Sequence, residues 1–181
     1  MFWSLAPLVV ACIVLAGLAG MCSFQLTGPK TGQPPSYDAP AALRADAAQL
    51  GFPVRLPQLP DGWHANSGQR GSIDAARTST VGYLTPSGMY VSLTQSNADE
   101  QKLIASLGTD LHPSGVQDVG GVPWVVYEGG ANVQPVWTTR LDGPTGPAQI
   151  AITGAASPNE FRTLAAATQS QQPLPARLGD R

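Results

Sequence analysis

Two histidines, His64 and His112, and two cysteines, Cys12 and Cys22, are the residues best suited to nucleophilic, acid–base or metal chemistry. Both cysteines fall in one apolar segment near the N-terminus. The rest of the chain therefore forms no internal disulfide and offers no Cys-x-x-Cys motif or thiol nucleophile. His64 and His112 are far apart, each beside turn residues, with no carboxylates at a recognisable zinc-ligand spacing. Gly-x-Ser-x-Gly, Gly-x-x-x-x-Gly-Lys and Gly-x-Gly-x-x-Gly do not occur. A serine–histidine–aspartate site is assembled in space, so the sequence leaves it open. Asp99-Glu100 reads as a helix start, where negative charge complements the dipole. Asp61 and Asp142 stand in turns, and Gly120-Gly121 and Gly129-Gly130 flank a predicted strand as turn residues. No catalytic residue, cofactor site or metal ligand is assigned on these grounds.

Aromatic residues are the remaining source of binding chemistry. Trp63, Trp124, Trp137, Tyr83, Tyr90 and Tyr127 lie on or beside predicted strands. Core packing accounts for a tryptophan in such a place. By alternation, Tyr90 falls on a polar strand face with Ser92 and Thr94, while Trp124 shares a face with Val122 and Val126. Tyr90, Ser92, Thr94 and Trp124 form the expected binding face.

These residues must be positioned by a small domain. Residues 1–24 carry no charge, and Leu5 to Phe24 is an unbroken run of about 20 residues, or about 30 Å of helix. Its length favours a single uncleaved membrane span over a cleaved signal peptide, whose apolar core is about 7–15 residues. Cleavage near Gly17-Leu18-Ala19 and lipidation at Cys12 or Cys22 are the alternatives. No Lys or Arg precedes the run, while Lys30 and Arg44 follow it, so charge bias alone puts the bulk of the chain inside. A chain opening on Met1-Phe2-Trp3 reads as truncated, with a basic segment upstream that fixes the bulk outside.

Four prolines between Gly28 and Pro40 exclude helix and interior strand. The expected organisation is an anchor over residues 1–27, a linker over 28–40, a domain over 41–169 and a flexible tail over 170–181. Ala41–Leu50 reads as a helix stopped by Gly51, and Phe52–Pro60 as extended chain. Trp63–Arg70 is a poorly patterned strand. Thr80–Thr85 and Met89–Ser96 form a hairpin about Pro86-Ser87-Gly88. Asn97 starts a helix with Glu100 as its capping-box partner, and Leu103, Ile104 and Leu107 make its stripe. Val122–Glu128, Val136–Leu141 and Ala148–Thr153 are strands, and Ser157-Pro158-Asn159-Glu160 is a strong helix start. The order of strands closed by a helix occurs twice. It predicts an α+β fold: an antiparallel sheet with helices packed on one face, preceded by a single N-terminal transmembrane helix.

The charged fraction, 12%, is about half that of ordinary soluble domains, and the net charge is −2. With ten scattered Lys and Arg, nothing favours nucleic acid.

Several pieces in order carry a resemblance. They are Phe2-Trp3-Ser4-Leu5, Phe52-Pro53-Val54 and Leu59-Pro60-Asp61-Gly62-Trp63. The hairpin from Gly82 to Tyr90 with Gln95, and Ile152-Thr153-Gly154-Ala155 before the last helix, complete the set. This set resembles an actinobacterial family known as domain of unknown function forty-two forty-five. The resemblance implies a single-span membrane protein with an extracytoplasmic domain and no assigned activity. Members carry a basic segment before the span, which this chain lacks. A fainter likeness, to domain of unknown function forty-three sixty-seven, implies a sensor or accessory role. The expected function is a non-catalytic binding, sensor or accessory module of the cell envelope. Its expected partners are the membrane and an envelope protein or small-molecule ligand. An envelope hydrolase and a structural partner of another membrane protein are the alternatives.

Overall fold

The computed structural model describes residues 36–176. The chain divides into two units, residues 1–33 and 34–181, and all the described residues belong to the second. The expected span and most of the expected linker lie outside the described residues. Among those described, no helix is long and apolar enough to cross a membrane.

Seven strands form one sheet: β1 (His64–Ile73), β2 (Ala76–Leu84), β3 (Tyr90–Ser96), β4 (His112–Val119), β5 (Val122–Glu128), β6 (Val136–Leu141) and β7 (Ala148–Gly154). Their order is β1-β2-β3-β7-β6-β5-β4, and every pairing is antiparallel. Among the described residues three helices accompany them: α1 (Ala39–Gln49), α2 (Glu100–Leu107) and α3 (Pro158–Gln169). The α+β class and the antiparallel sheet agree with the sequence reading.

The helices do not all share a face. α1 and α3 cover one side, where Leu43, Val81, Leu93, Trp124, Ile150, Ile152, Phe161 and Leu164 make the main core. α2 lies on the other side, where Leu103 and Ile104 meet Val136 and Ala151 in a smaller cluster. Strand alternation requires this division: Ile150 and Ile152 point one way and Ala151 the other. A two-fold axis exchanging antiparallel β3 and β7 would put α2 and α3 on the same face. The two strand–helix runs are therefore not related by that symmetry.

Local chemistry sets the helix ends. Asp38 caps α1 by accepting from the Ala41 N–H. Ser157 and Glu160 complete the predicted capping box of α3. α2 is capped by Asp99 instead of Asn97. The Asn97 side chain accepts from the Arg77 N–H on β2, and Glu100 accepts from the Tyr127 hydroxyl. In the main core, Trp137 and Phe161 meet at 5.5 Å with rings tilted by 56°, a contact of about 0.5–1.5 kcal/mol beyond area burial. The buried Trp124 indole donates to Gln169, whose amide donates to the Val119 carbonyl.

β4 is a strand the sequence pattern does not disclose. It is an edge strand, exposed along most of its length, so it has little apolar alternation to read. β1, the other edge, is equally polar. Bulges at Ala65/Ser67 and Pro113/Gly115 interrupt the two edges, a device that discourages pairing with other chains.

The extended segment after α1 has no strand partner. Gln95, on the core face of β3, supplies one. Its side-chain carbonyl accepts from the Arg55 N–H at 2.8 Å, and its amide donates to the Arg55 carbonyl at 2.8 Å. The buried Arg55 side chain then donates to the carbonyls of Asp142 and Gln171. Burial pulls its pKa down, against a smaller upward effect of Asp142. Nearby, the Leu174 N–H donates to the Val54 carbonyl at 2.8 Å. Sequence composition predicts fraying from residue 170; instead Gln171 and Leu174 are tied to the domain by these bonds. Replacing Gln95 with Ala leaves two buried backbone groups unpaired. It is expected to lower stability by about 2–6 kcal/mol in a urea titration, at about 1–3 kcal/mol for each group.

Candidate functional site

The face opposite the main core is built largely of hydroxyls. Hairpin register places Gly82 across from Ser67 and Ser92, and Thr80 across from Gln69 and Thr94. A cleft of about 260 Å³ lies over these three strands. Ser67, Gln69, Thr80, Gly82, Tyr90, Ser92 and Thr94 line it, with Leu107 of α2 at its margin. Among the described residues no charged side chain lines the cleft. Its volume falls below the about 300 Å³ at which pockets for drug-sized ligands begin, so it suits one small ring.

Tyr90 is placed by two close approaches. Its ring end lies over Gly82, where a Cβ would come within 2.3 Å of the tyrosine oxygen and 2.4 Å of the Ser67 Oγ. Glycine at 82 is therefore needed for the tyrosine to occupy this place. At the backbone, Gly154 has φ +155°, and a Cβ there would meet the Tyr90 carbonyl at 2.4 Å. The next residue, Ala155, donates its N–H to that carbonyl at 3.0 Å. Tyr90 remains 42% exposed. Below it, Ser92 and Thr94 are nearly buried and form the floor. Thr80 and Thr94 join through their hydroxyls at 3.0 Å, and Ser92 donates to the Thr153 carbonyl. The Gln69 amide is exposed and makes no side-chain hydrogen bond among the described residues.

Of the expected binding face, the structure brings Tyr90, Ser92 and Thr94 together. Trp124 is elsewhere: it is 0% exposed, in the main core on the opposite side of the sheet. Ser67, Gln69, Thr80 and Gly82 join the cleft without having been singled out. The Pro86-Ser87-Gly88 turn carries enough register to place Thr80 and Gly82. Ser67 and Gln69 needed β1, whose pattern is weak. Tyr83 and Trp137 are core residues, and burial pushes the Tyr83 phenol up. The Tyr127 phenol is pushed up to about 12, by desolvation first and then by the Glu100 carboxylate.

The histidines stand on the two edge strands, at opposite sides of the sheet, and both are exposed. His112 has only the Asp110 carbonyl near its ring, at 3.4 Å, and His64 has no side-chain partner among the described residues. Among the described residues neither is joined to a serine or a carboxylate. Among the described residues there is no group of three or more His, Cys, Asp or Glu that could hold a metal ion. Cys12 and Cys22 lie outside them. A separate groove of about 420 Å³, lined by Phe52, Pro53, Pro144, Pro173, Leu174 and Pro175, offers almost no hydrogen-bonding side chain.

A family model described as "Protein of unknown function (DUF4245)" matches residues 1–168. The chain belongs to this family. The match takes in the elements that build the cleft and reaches almost to the end of α3. No curated protein matches the chain, and no solved structure matches it.

The turn that leads into Tyr90 is locked from outside the cleft. Ser87 donates to Glu160 at 2.6 Å, joining the β2–β3 turn to the start of α3. The Glu160 carboxyl is held down at about 2, by the Ser87 hydroxyl first, then by Thr85 and by Ser157. A depressed carboxyl contributes stability above its unfolded pKa of about 4.3, and that contribution is lost as pH falls through about 2. The Glu160→Gln variant is expected to lose up to about 1 kcal/mol at pH 7. Its urea midpoint should fall less steeply than that of the unaltered protein between about pH 5 and pH 2.

Proposed function

We propose that this chain is a non-catalytic binding module of the cell envelope. In this reading the apolar run Leu5–Phe24 anchors it, and the domain stands on the outer side of the membrane. The observation that carries the binding role is the uncharged, hydroxyl-lined cleft assembled from β1, β2 and β3 around an exposed tyrosine. A hydrolytic site needs a nucleophile joined to a base, or a metal-held water. The histidines here stand apart at the two sheet edges. The cleft offers hydrogen-bond donors and acceptors and one aromatic face, which is binding chemistry.

Two measurements test the reading. An alkaline phosphatase fusion after Arg181 is expected to be active, and an inactive fusion sinks the outside placement. In the ¹⁵N-labelled full chain, a soluble digest of cell envelope is expected to move the amides of Ser67–Gln69 and Tyr90–Ser92. Shifts confined to other parts of the domain, or none, sink the cleft as the binding site.

A further inference from the structure

The lining of the cleft selects among ligand classes. With no cation among its described lining residues, it has nothing to neutralise a phosphate or carboxylate. With no anion there, it has nothing to hold an amine. Its hydroxyl floor would leave a lipid chain facing polar groups deprived of water, which is unfavourable. Its described lining residues likewise offer no cation for the phosphates of a nucleotide cofactor.

What remains is a ligand that is neutral, ring-shaped and rich in hydroxyls. We propose that the cleft binds one neutral pyranose ring of a glycan, with the sugar's C–H face laid on Tyr90. This inference rests on the binding role argued above and names the ligand class. The phenolic end of Tyr90 is seated against Gly82, and the residue is 42% exposed. It is thus a preformed apolar plate, bounded by polar groups. Amphipathic recognition of that kind matches a pyranose, whose faces are C–H and whose rim is hydroxyl. The exposed Gln69 amide can donate and accept toward vicinal hydroxyls. The side-chain oxygens of Ser67 and Thr80 can each give or take a hydrogen bond, so they adapt to either sense of a sugar hydroxyl. The open side of the cleft lets a polymer continue past the bound ring, so an internal residue can be read as well as an end.

The test uses the full chain in a detergent without a sugar headgroup. Neutral hexaoses of β-1,4-linked glucose, α-1,4-linked glucose and β-1,4-linked N-acetylglucosamine are titrated against it, with a hexagalacturonate as the charged counterpart. Binding is followed by amide shifts. At least one neutral hexaose is expected to move Ser67, Gln69, Tyr90 and Ser92, and to bind more tightly than the hexagalacturonate. Tyr90→Ala is expected to weaken it about tenfold and Gln69→Ala by a smaller factor, while Tyr90→Phe keeps most of the affinity. Gln69 is exposed on an edge strand, so its variant stays interpretable if Tyr90→Ala unfolds. The inference is overturned if no neutral hexaose moves these amides, if the hexagalacturonate binds equally well, or if both the Phe and Ala variants bind like the unaltered chain. An envelope digest that moves the cleft amides while every hexaose fails would overturn the sugar and leave the binding role standing. If digest and hexaoses both fail, both readings fall.

Discussion

The amide of Gln95 acts as a substitute strand. Its two hydrogen bonds to the backbone of Arg55 pair an N–H and a C=O that would otherwise be buried without partners. With that segment fixed, the Arg55 guanidinium reaches the loop after β6 and the chain after α3. Val54 receives the N–H of Leu174. One polar residue at a core position of β3 thereby gathers three distant pieces of chain. The preceding helix is fastened separately, through buried Asp46, which accepts from Ser79 of β2 and Arg70 of β1.

This anchoring divides the labour between the two faces of the sheet. The side under α1 and α3 holds the aromatic and branched side chains and provides most of the hydrophobic stabilisation, about 1.5–3 kcal/mol for each large side chain fully buried. The other side is only partly covered by α2, and its exposed part carries serines, threonines and a glutamine. The charged fraction of 12% has a structural counterpart here. A face built of hydroxyls presents hydrogen bonding without fixed charge. Several of those hydroxyls are buried and bonded within the sheet: Thr138 donates to the Ile150 carbonyl and accepts from Gln149, and Ser96 donates to the Arg77 carbonyl.

Central elements were legible because their residues face two environments. β3 has Val91 and Leu93 alternating with Ser92 and Thr94, and α3 opens on a complete capping box. The edge strands were less so: His64–Ile73 was only weakly patterned and His112–Val119 was not legible, since both meet solvent almost throughout. The placement of α2 on the second face was equally hidden. Its stripe of Leu103, Ile104 and Leu107 says that it packs, and nothing in that spacing says against which side. For the cleft, Tyr90, Ser92 and Thr94 came from alternation within one strand. Trp124 has the same residue-level signature as a binding aromatic, yet its neighbours Val122 and Val126 share its inward face.

The sequence by itself determined the α+β class, the antiparallel central strands, the β2–β3 turn and the cap of α3. These follow from spacings of two, three and four residues, which the backbone geometry enforces locally. It also held the order of motifs that places the chain in its family. Tertiary structure alone decided which strands stand at the edges, which face each helix covers, and that Gln95 serves a segment forty positions away. It alone joined Ser67 and Gln69 to Tyr90, because those contacts run between strands, where chain separation carries no information about distance.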